Sequence, residues 1–126
     1  MDQKTIYALS TVYGKSGVAV VRVSGQQALK AVELMTDLDI GRIKPRYAYF
    51  TDIKSAVDGC KLDKSLLLYF KGPHSFNGED IVEFQIHGSR AVISGVLDSL
   101  AAIPGFRLAE PGEFSRRAFY NHKMDL

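Results

Sequence analysis

The residue with the most chemistry to explain is Glu83. It stands in Ile81-Val82-Glu83-Phe84-Gln85-Ile86-His87, where apolar and polar side chains alternate. A period of two marks a strand. It sends Val82, Phe84 and Ile86 one way and Ile81, Glu83, Gln85 and His87 the other. The first set belongs in a core. The second sets a carboxylate, an amide and an imidazole in a row just ahead of a helix start. Charged side chains are rarely buried unless paired, so the row has two readings: a face turned toward a ligand, or a solvated strand face. Arg22 raises the same question in Val18-Ala19-Val20-Val21-Arg22-Val23-Ser24, where it shares a face with Val18 and Val20. A guanidinium on so apolar a strand needs a partner or a ligand.

Other chemically suggestive groups are weaker. Gly14-Lys15-Ser16 has the ending of a phosphate-binding loop, but the glycine required five residues earlier is replaced by Leu9. That loop must also open a helix, whereas a strand follows, so nucleotide phosphate binding is rejected and a glycine turn between strands remains. His87-Gly88-Ser89 joins a strand to a helix, and helix N-termini attract anions; a plain capping turn is the simpler reading. His74, His87 and His122 have no metal-ligand spacing, and no nucleophilic triad follows from spacing alone. Glu79 and Asp80 are adjacent, so on an extended chain they point apart. They are expected to shape the turn-rich loop 72–80 and not to form an acid–base pair.

Holding Glu83 and Arg22 in place requires a series of short elements. Residues 5–10 and 18–24 read as strands, the second apolar enough to be central. A helix is expected from Ser24 or Gly25 to Leu38, with Ala28, Leu29, Ala31, Val32 and Met35 inward. Strands are expected at 46–51 and 66–70, paired as a hairpin across a polar tract, 52–64, that turns at Asp58-Gly59. After the strand at 81–87, Ser89 can cap a helix over 90–102, in which Gly95 permits close packing on the sheet. Pro104-Gly105 stops it, and 106–109 form a short strand. A last helix starts near Pro111-Gly112, with Phe114, Ala118 and Phe119 inward and Arg116 and Arg117 outside. The order ββαβββαβα favours an α+β fold: a mostly antiparallel sheet with helices packed on one side.

The 126 residues suffice for one domain with a real core. Apolar residues at 46% and charged residues at 24% are those of an ordinary globule, and a formal charge of +2 is too small to argue for nucleic-acid or membrane-surface binding. The single cysteine, Cys60, cannot form an internal disulfide, which suits a reducing cytoplasm. No basic start followed by an apolar core occurs, nor an apolar run near 18 residues, so neither a signal peptide nor a membrane span is expected. The chain ends at Asn121-His122-Lys123-Met124-Asp125-Leu126 as if within an element, which suggests a piece of a longer protein.

Five motifs occur in order: Gly17-Val18-Ala19-Val20-Val21-Arg22-Val23-Ser24-Gly25; Pro45-Arg46-Tyr47-Ala48; Pro73-His74-Ser75-Phe76-Asn77-Gly78-Glu79-Asp80; His87-Gly88; and Ala109-Glu110-Pro111-Gly112-Glu113-Phe114-Ser115-Arg116-Arg117-Ala118-Phe119, followed by the Asn121 to Leu126 ending. Together they closely resemble the N-terminal domain of the tRNA modification GTPase family MnmE, also called TrmE. The resemblance covers essentially the whole chain. It implies a fold similar to the tetrahydrofolate-binding fold of the glycine-cleavage T-protein. It also implies a homodimer and a bound one-carbon donor, 5-formyl-tetrahydrofolate or 5,10-methylene-tetrahydrofolate. By the same resemblance, residues 1–121 form the folate-binding, dimer-forming domain, and 122–126 start the connection to a helical and GTPase region. With the flavoprotein MnmG, the family modifies C5 of wobble uridines in certain tRNAs, in the cytoplasm and without a membrane.

The family's folate-contacting positions fall on Arg22, Glu83 and Lys123. Their chemistry agrees: one carboxylate suits the adjacent amine and ring N–H of a pterin, and Arg and Lys suit its carbonyl or the folate carboxylates. The family's GTPase and C-terminal cysteine motifs do not occur in these 126 residues. GTP, magnesium and potassium therefore belong to the absent region, and the chain alone is expected not to be catalytic. Two loops depart from the family pattern. Val12-Tyr13 replaces a pair of prolines, and Ser89-Arg90 replaces Gly-Pro after His87-Gly88. Those departures motivate an alternative, a pure homodimerisation module with a degenerate folate site. A stand-alone folate-dependent aminomethyltransferase-like domain is a further alternative, disfavoured by the short chain.

Overall fold

The computed structural model describes residues 2–12 and 17–123. Its elements in chain order are β1 (Thr5–Val12), β2 (Val18–Ser24), α1 (Ala28–Met35), β3 (Ala48–Lys54), β4 (Lys61–Phe70), β5 (Ile81–His87), α2 (Arg90–Ala101), β6 (Phe106–Leu108) and α3 (Glu113–Tyr120). The strands form one six-stranded sheet in the order β3-β4-β5-β2-β1-β6. Only the β1–β6 pair is parallel; the other neighbours run antiparallel. The α+β architecture and element order are those expected.

The two most apolar strands, β2 and β5, sit side by side in the middle of the sheet. Alternation turns Ala19, Val21 and Val23 with Val82, Phe84 and Ile86 to one face, and α1 and α2 cover it with Ala28, Ala31, Val32, Met35, Val96 and Leu100. Here α3 departs from the expectation that the helices share one side. Its Phe114 ring lies 5.9 Å from the guanidinium of Arg22, which alternation puts on the opposite face. The residues that α3 buries are Glu113, Arg117 and Ala118. Arg117 is thus inside and Phe119 exposed, the reverse of the amphipathic reading. The helix stands where expected, but apolar periodicity could not find a buried face that carries charge.

Three boundaries also moved. Gly25 has φ +144°, and a Cβ there would lie 2.8 Å from the Thr5 Cα, so the chain crosses β1 before α1 begins at Ala28. Thr36 then ends α1, its hydroxyl donating to the Val32 carbonyl at 2.7 Å. The polar tract 52–64 is mostly strand, with β3 and β4 paired out to Lys54 opposite Lys61. Ile53, wholly buried, and Leu62, packed against the core, are the inward residues that carry the alternation through it. Gly95 packs as expected: a Cβ there would approach the end of the Leu62 side chain to 2.9 Å. Ser89 caps α2, its hydroxyl accepting from the Val92 N–H at 3.2 Å.

Candidate functional site

The β2–β5 ladder sets Arg22 directly opposite Glu83. Both side chains rise on the face left open by α1 and α2, where directly opposed residues can touch. Arg22 donates from Nε at 3.1 Å and from Nη2 at 2.9 Å, both to Glu83 Oε2. Among the described residues, Glu83 Oε1 accepts no hydrogen bond. The side chains are 27% and 15% exposed, so the pair is screened from water yet reachable. The partner that Arg22 required is therefore the very carboxylate that raised the ligand question.

A cavity of about 150 Å³ opens beside the pair, lined by Arg22, Glu83, Arg46, Phe70, Phe76, Ser75 and Ile81. That is below the usual range for whole drug-sized ligands, and it suits a single flat head group. Its walls alternate aromatic rings with guanidinium groups. The Arg22 guanidinium lies 6.0 Å from the Phe76 ring, and that of Arg46 lies 5.4 Å from the Phe70 ring. Arg46 has φ 68°, a left-handed conformation that arginine seldom adopts and that often accompanies function. Its N–H bonds the Tyr69 carbonyl at 2.8 Å, and its Nη2 donates to the His74 carbonyl at 3.0 Å. Arg46 thereby ties the end of β4 to the loop 72–80.

That loop is built as the sequence suggested. Asp80 Oδ1 accepts from the Gly72 N–H at 2.9 Å and closes the loop's base. Glu79 turns away and accepts from the Ser24 hydroxyl at 2.8 Å. The two adjacent carboxylates do separate structural work. Lys123 is not brought to the Arg22–Glu83 cavity lining. It is exposed, and its Cγ lies 3.3 Å from where a Cβ on Gly78 would stand, at the loop's far side. The sequence did not single out Arg46, Phe70, Phe76 and Ser75 as residues lining a cavity. The available signal was Phe76, a lone aromatic in a turn-rich loop.

His87 stands further along the Glu83 face. Asp63 Oδ1 meets its Nδ1 at 2.8 Å, and Asp63 Oδ2 accepts from its backbone N–H at 2.9 Å. Burial pushes the Asp63 carboxyl up, but the Ser65 and His87 hydrogen bonds outweigh it and leave the group below the usual range. This contact locks the ends of β4 and β5. Away from the cavity, Glu113 is held down to about 2, chiefly by the Arg107 guanidinium, whose two donors reach it at 2.7 and 2.6 Å.

No group of three or more His, Cys, Asp and Glu among the described residues is placed to hold a metal. Gly14-Lys15-Ser16 lies outside the described residues, as does Tyr13 of the altered turn. The element that follows them is a strand, β2, and not a helix. No helix among the described residues is long and apolar enough to cross a membrane.

The fold and cavity define a class: an open-faced α+β domain with a small cavity over the middle strands of its sheet. Within that class, the chain belongs to the family described as GTP-binding protein TrmE N-terminus, whose model matches residues 5–123. Its relatives include proteins named tRNA modification GTPase MnmE. That of Rickettsia bellii (strain OSU 85-389) is 46% identical over 123 residues, which cover 98% of this chain and 27% of the relative. That of Neorickettsia sennetsu is 51% identical over 122 residues, covering 97% and 21%. The Wolbachia protein from Drosophila simulans is 50% identical over 125 residues, covering 98% and 27%. The chain thus spans about a quarter of the length of these relatives.

Proposed function

We propose that the Arg22–Glu83 cavity binds the pterin ring of a reduced folate carrying one carbon, 5-formyl-tetrahydrofolate or 5,10-methylene-tetrahydrofolate. One observation carries this reading: Glu83 has one carboxylate oxygen anchored by Arg22 and the other unengaged among the described residues, at the edge of a cavity about 150 Å³ in size. A pterin edge presents an amine and a ring N–H side by side, donors that suit a carboxylate with two oxygens, and Oε1 is the one left open to it. Phe76 and Phe70 offer faces to the flat ring, and Arg46 and Arg22 offer donors to its carbonyl. Lys123, across the loop, is left for the carboxylates of the folate tail. When bound, the folate supplies the one-carbon unit; the chain's residues bind and orient it.

Calorimetric titration of 5-formyl-tetrahydrofolate tests this reading. Glu83→Ala removes the anchor and leaves Arg22 without its partner, so a large loss of affinity is expected. Equal binding by Glu83→Ala and the parent would remove the carboxylate from the site.

The open face also supports the homodimer. Val18, Leu66 and Phe50 are exposed there, Phe50 to 67%, and an apolar face of this kind favours a partner. Light scattering that reports a dimer, together with no uptake of the folate, would select the assembly-module reading. In the longer protein, as the relatives' names suggest, this domain would serve tRNA modification. There we infer a GTPase region using GTP, magnesium and potassium, MnmG as partner, and wobble uridine C5 as target, in the cytoplasm.

A further inference from the structure

The third helix is fastened by charge. None of its residues belongs to the main apolar cluster. Arg117 is 2% exposed, and its terminal nitrogens reach two other segments and the first turn of its own helix. Nη1 donates to both Glu79 oxygens, at 3.2 and 3.3 Å. Nη2 donates to the Lys4 carbonyl at 2.8 Å and to Glu113 Oε2 at 3.3 Å.

From Glu79 the bonding continues into the loop. The Ser24 hydroxyl that donates to Glu79 also accepts from Asn77 Nδ2 at 2.9 Å. Asn77 Oδ1 accepts from the Glu79 N–H at 3.1 Å, and the Ser75 hydroxyl donates to the Glu79 carbonyl. Just past α3, Asn121 Nδ2 donates to the Asn77 carbonyl at 2.8 Å. These contacts converge on the segment that delivers Ser75 and Phe76 to the cavity. Phe76 is half exposed and does not anchor the segment itself.

We propose that Arg117 is a positioning residue for the cavity. It fixes Glu79, and through Glu79 it holds Ser75 and Phe76 against Arg22 and Glu83. The effect on affinity rests on the folate reading; the effect on the loop does not. Because α3 and the loop lie outside the apolar core, disconnecting them leaves the sheet, α1 and α2 folded. Lysine keeps the charge at this position but lacks the planar fork that spans Glu79, Lys4 and Glu113.

The test compares Arg117→Lys and Glu79→Gln with Arg116→Ala, which removes a charge from the exposed side of the same helix. Amide NMR spectra are recorded for each, with and without 5-formyl-tetrahydrofolate. Both Arg117→Lys and Glu79→Gln are expected to shift or broaden the amides of residues 74–79 while β2 and β5 amides keep their positions. They are also expected to weaken folate binding at least tenfold. Arg116→Ala should do neither. Unmoved loop amides in Arg117→Lys overturn the proposal whatever the folate does, as does collapse of the whole spectrum in both variants. A parent protein that takes up no folate overturns the folate reading alone, and the loop amides still decide the role of Arg117.

Discussion

At Glu83 two demands meet on one carboxylate. It neutralises Arg22 on the facing strand and offers an oxygen to the cavity. Replacing it by alanine leaves a half-buried guanidinium without its partner, which costs about 1–3 kcal/mol of stability. Glu83→Gln keeps the shape and one acceptor but loses the charge, so folate affinity should fall while the melting temperature changes less than in Glu83→Ala. Calorimetry and thermal melts on the two variants check both statements.

Glu113 makes a pH prediction. Its folded value of about 2 lies below its ordinary value of 4.5. The folded chain therefore binds fewer protons than the unfolded chain in this interval. The stability it contributes, about 3 kcal/mol, is complete above pH 4.5 and is lost as pH falls toward about 2. Melts from about pH 5 down to about pH 2 should show a steeper decline in the parent than in Glu113→Gln.

Individual elements depend on a few close backbone approaches. Gly25→Ala would force a Cβ to 2.8 Å from the Thr5 Cα at φ +144°. A destabilisation of about 3 kcal/mol is expected from strain and crowding together, read by denaturant unfolding. At Gly95 the nearest atom is the tip of a flexible leucine, Leu62 at 2.9 Å, so Gly95→Ala should come within about 1 kcal/mol of neutral as helix propensity offsets the shift.

The elements differ in how well the sequence announced them. The alternation around Glu83, the apolar run around Arg22 and the Ser89 cap were legible because local period and capping chemistry determine them. Register was not legible. Two strands 61 positions apart carry no local sign of which residue faces which, so the Arg22–Glu83 contact emerged only with the sheet. The helix α3 was legible from Pro111-Gly112, but its buried face was not, because Glu113 and Arg117 lie there beside Ala118, and burial of charge follows from partners on other segments. Arg46 was hidden for a further reason: its left-handed backbone depends on tertiary bonds to Tyr69 and His74.

For the molecule as a whole, stability should be graded from the centre outward. β2 and β5 have paired strands on both sides and pack on both helices of the apolar face, whereas α3 is held mainly by buried polar contacts outside the apolar cluster. Hydrogen exchange should be slowest in β2 and β5 amides and fastest in α3 and loop 72–80, with α3 opening independently of the global transition. Equal protection of α3 and β5 would contradict the separation of brace from core.

The facing of Arg22 and Glu83 also bears on synthesis. A nascent chain arrested before residue 83 already contains the arginine and the aromatic loop, but nothing opposite the guanidinium. On the folate reading, uptake of the ligand waits until the fifth strand has left the ribosome and zipped alongside the second, and until α3 has followed to hold the loop. A series of arrested chains of increasing length should show that threshold as a step.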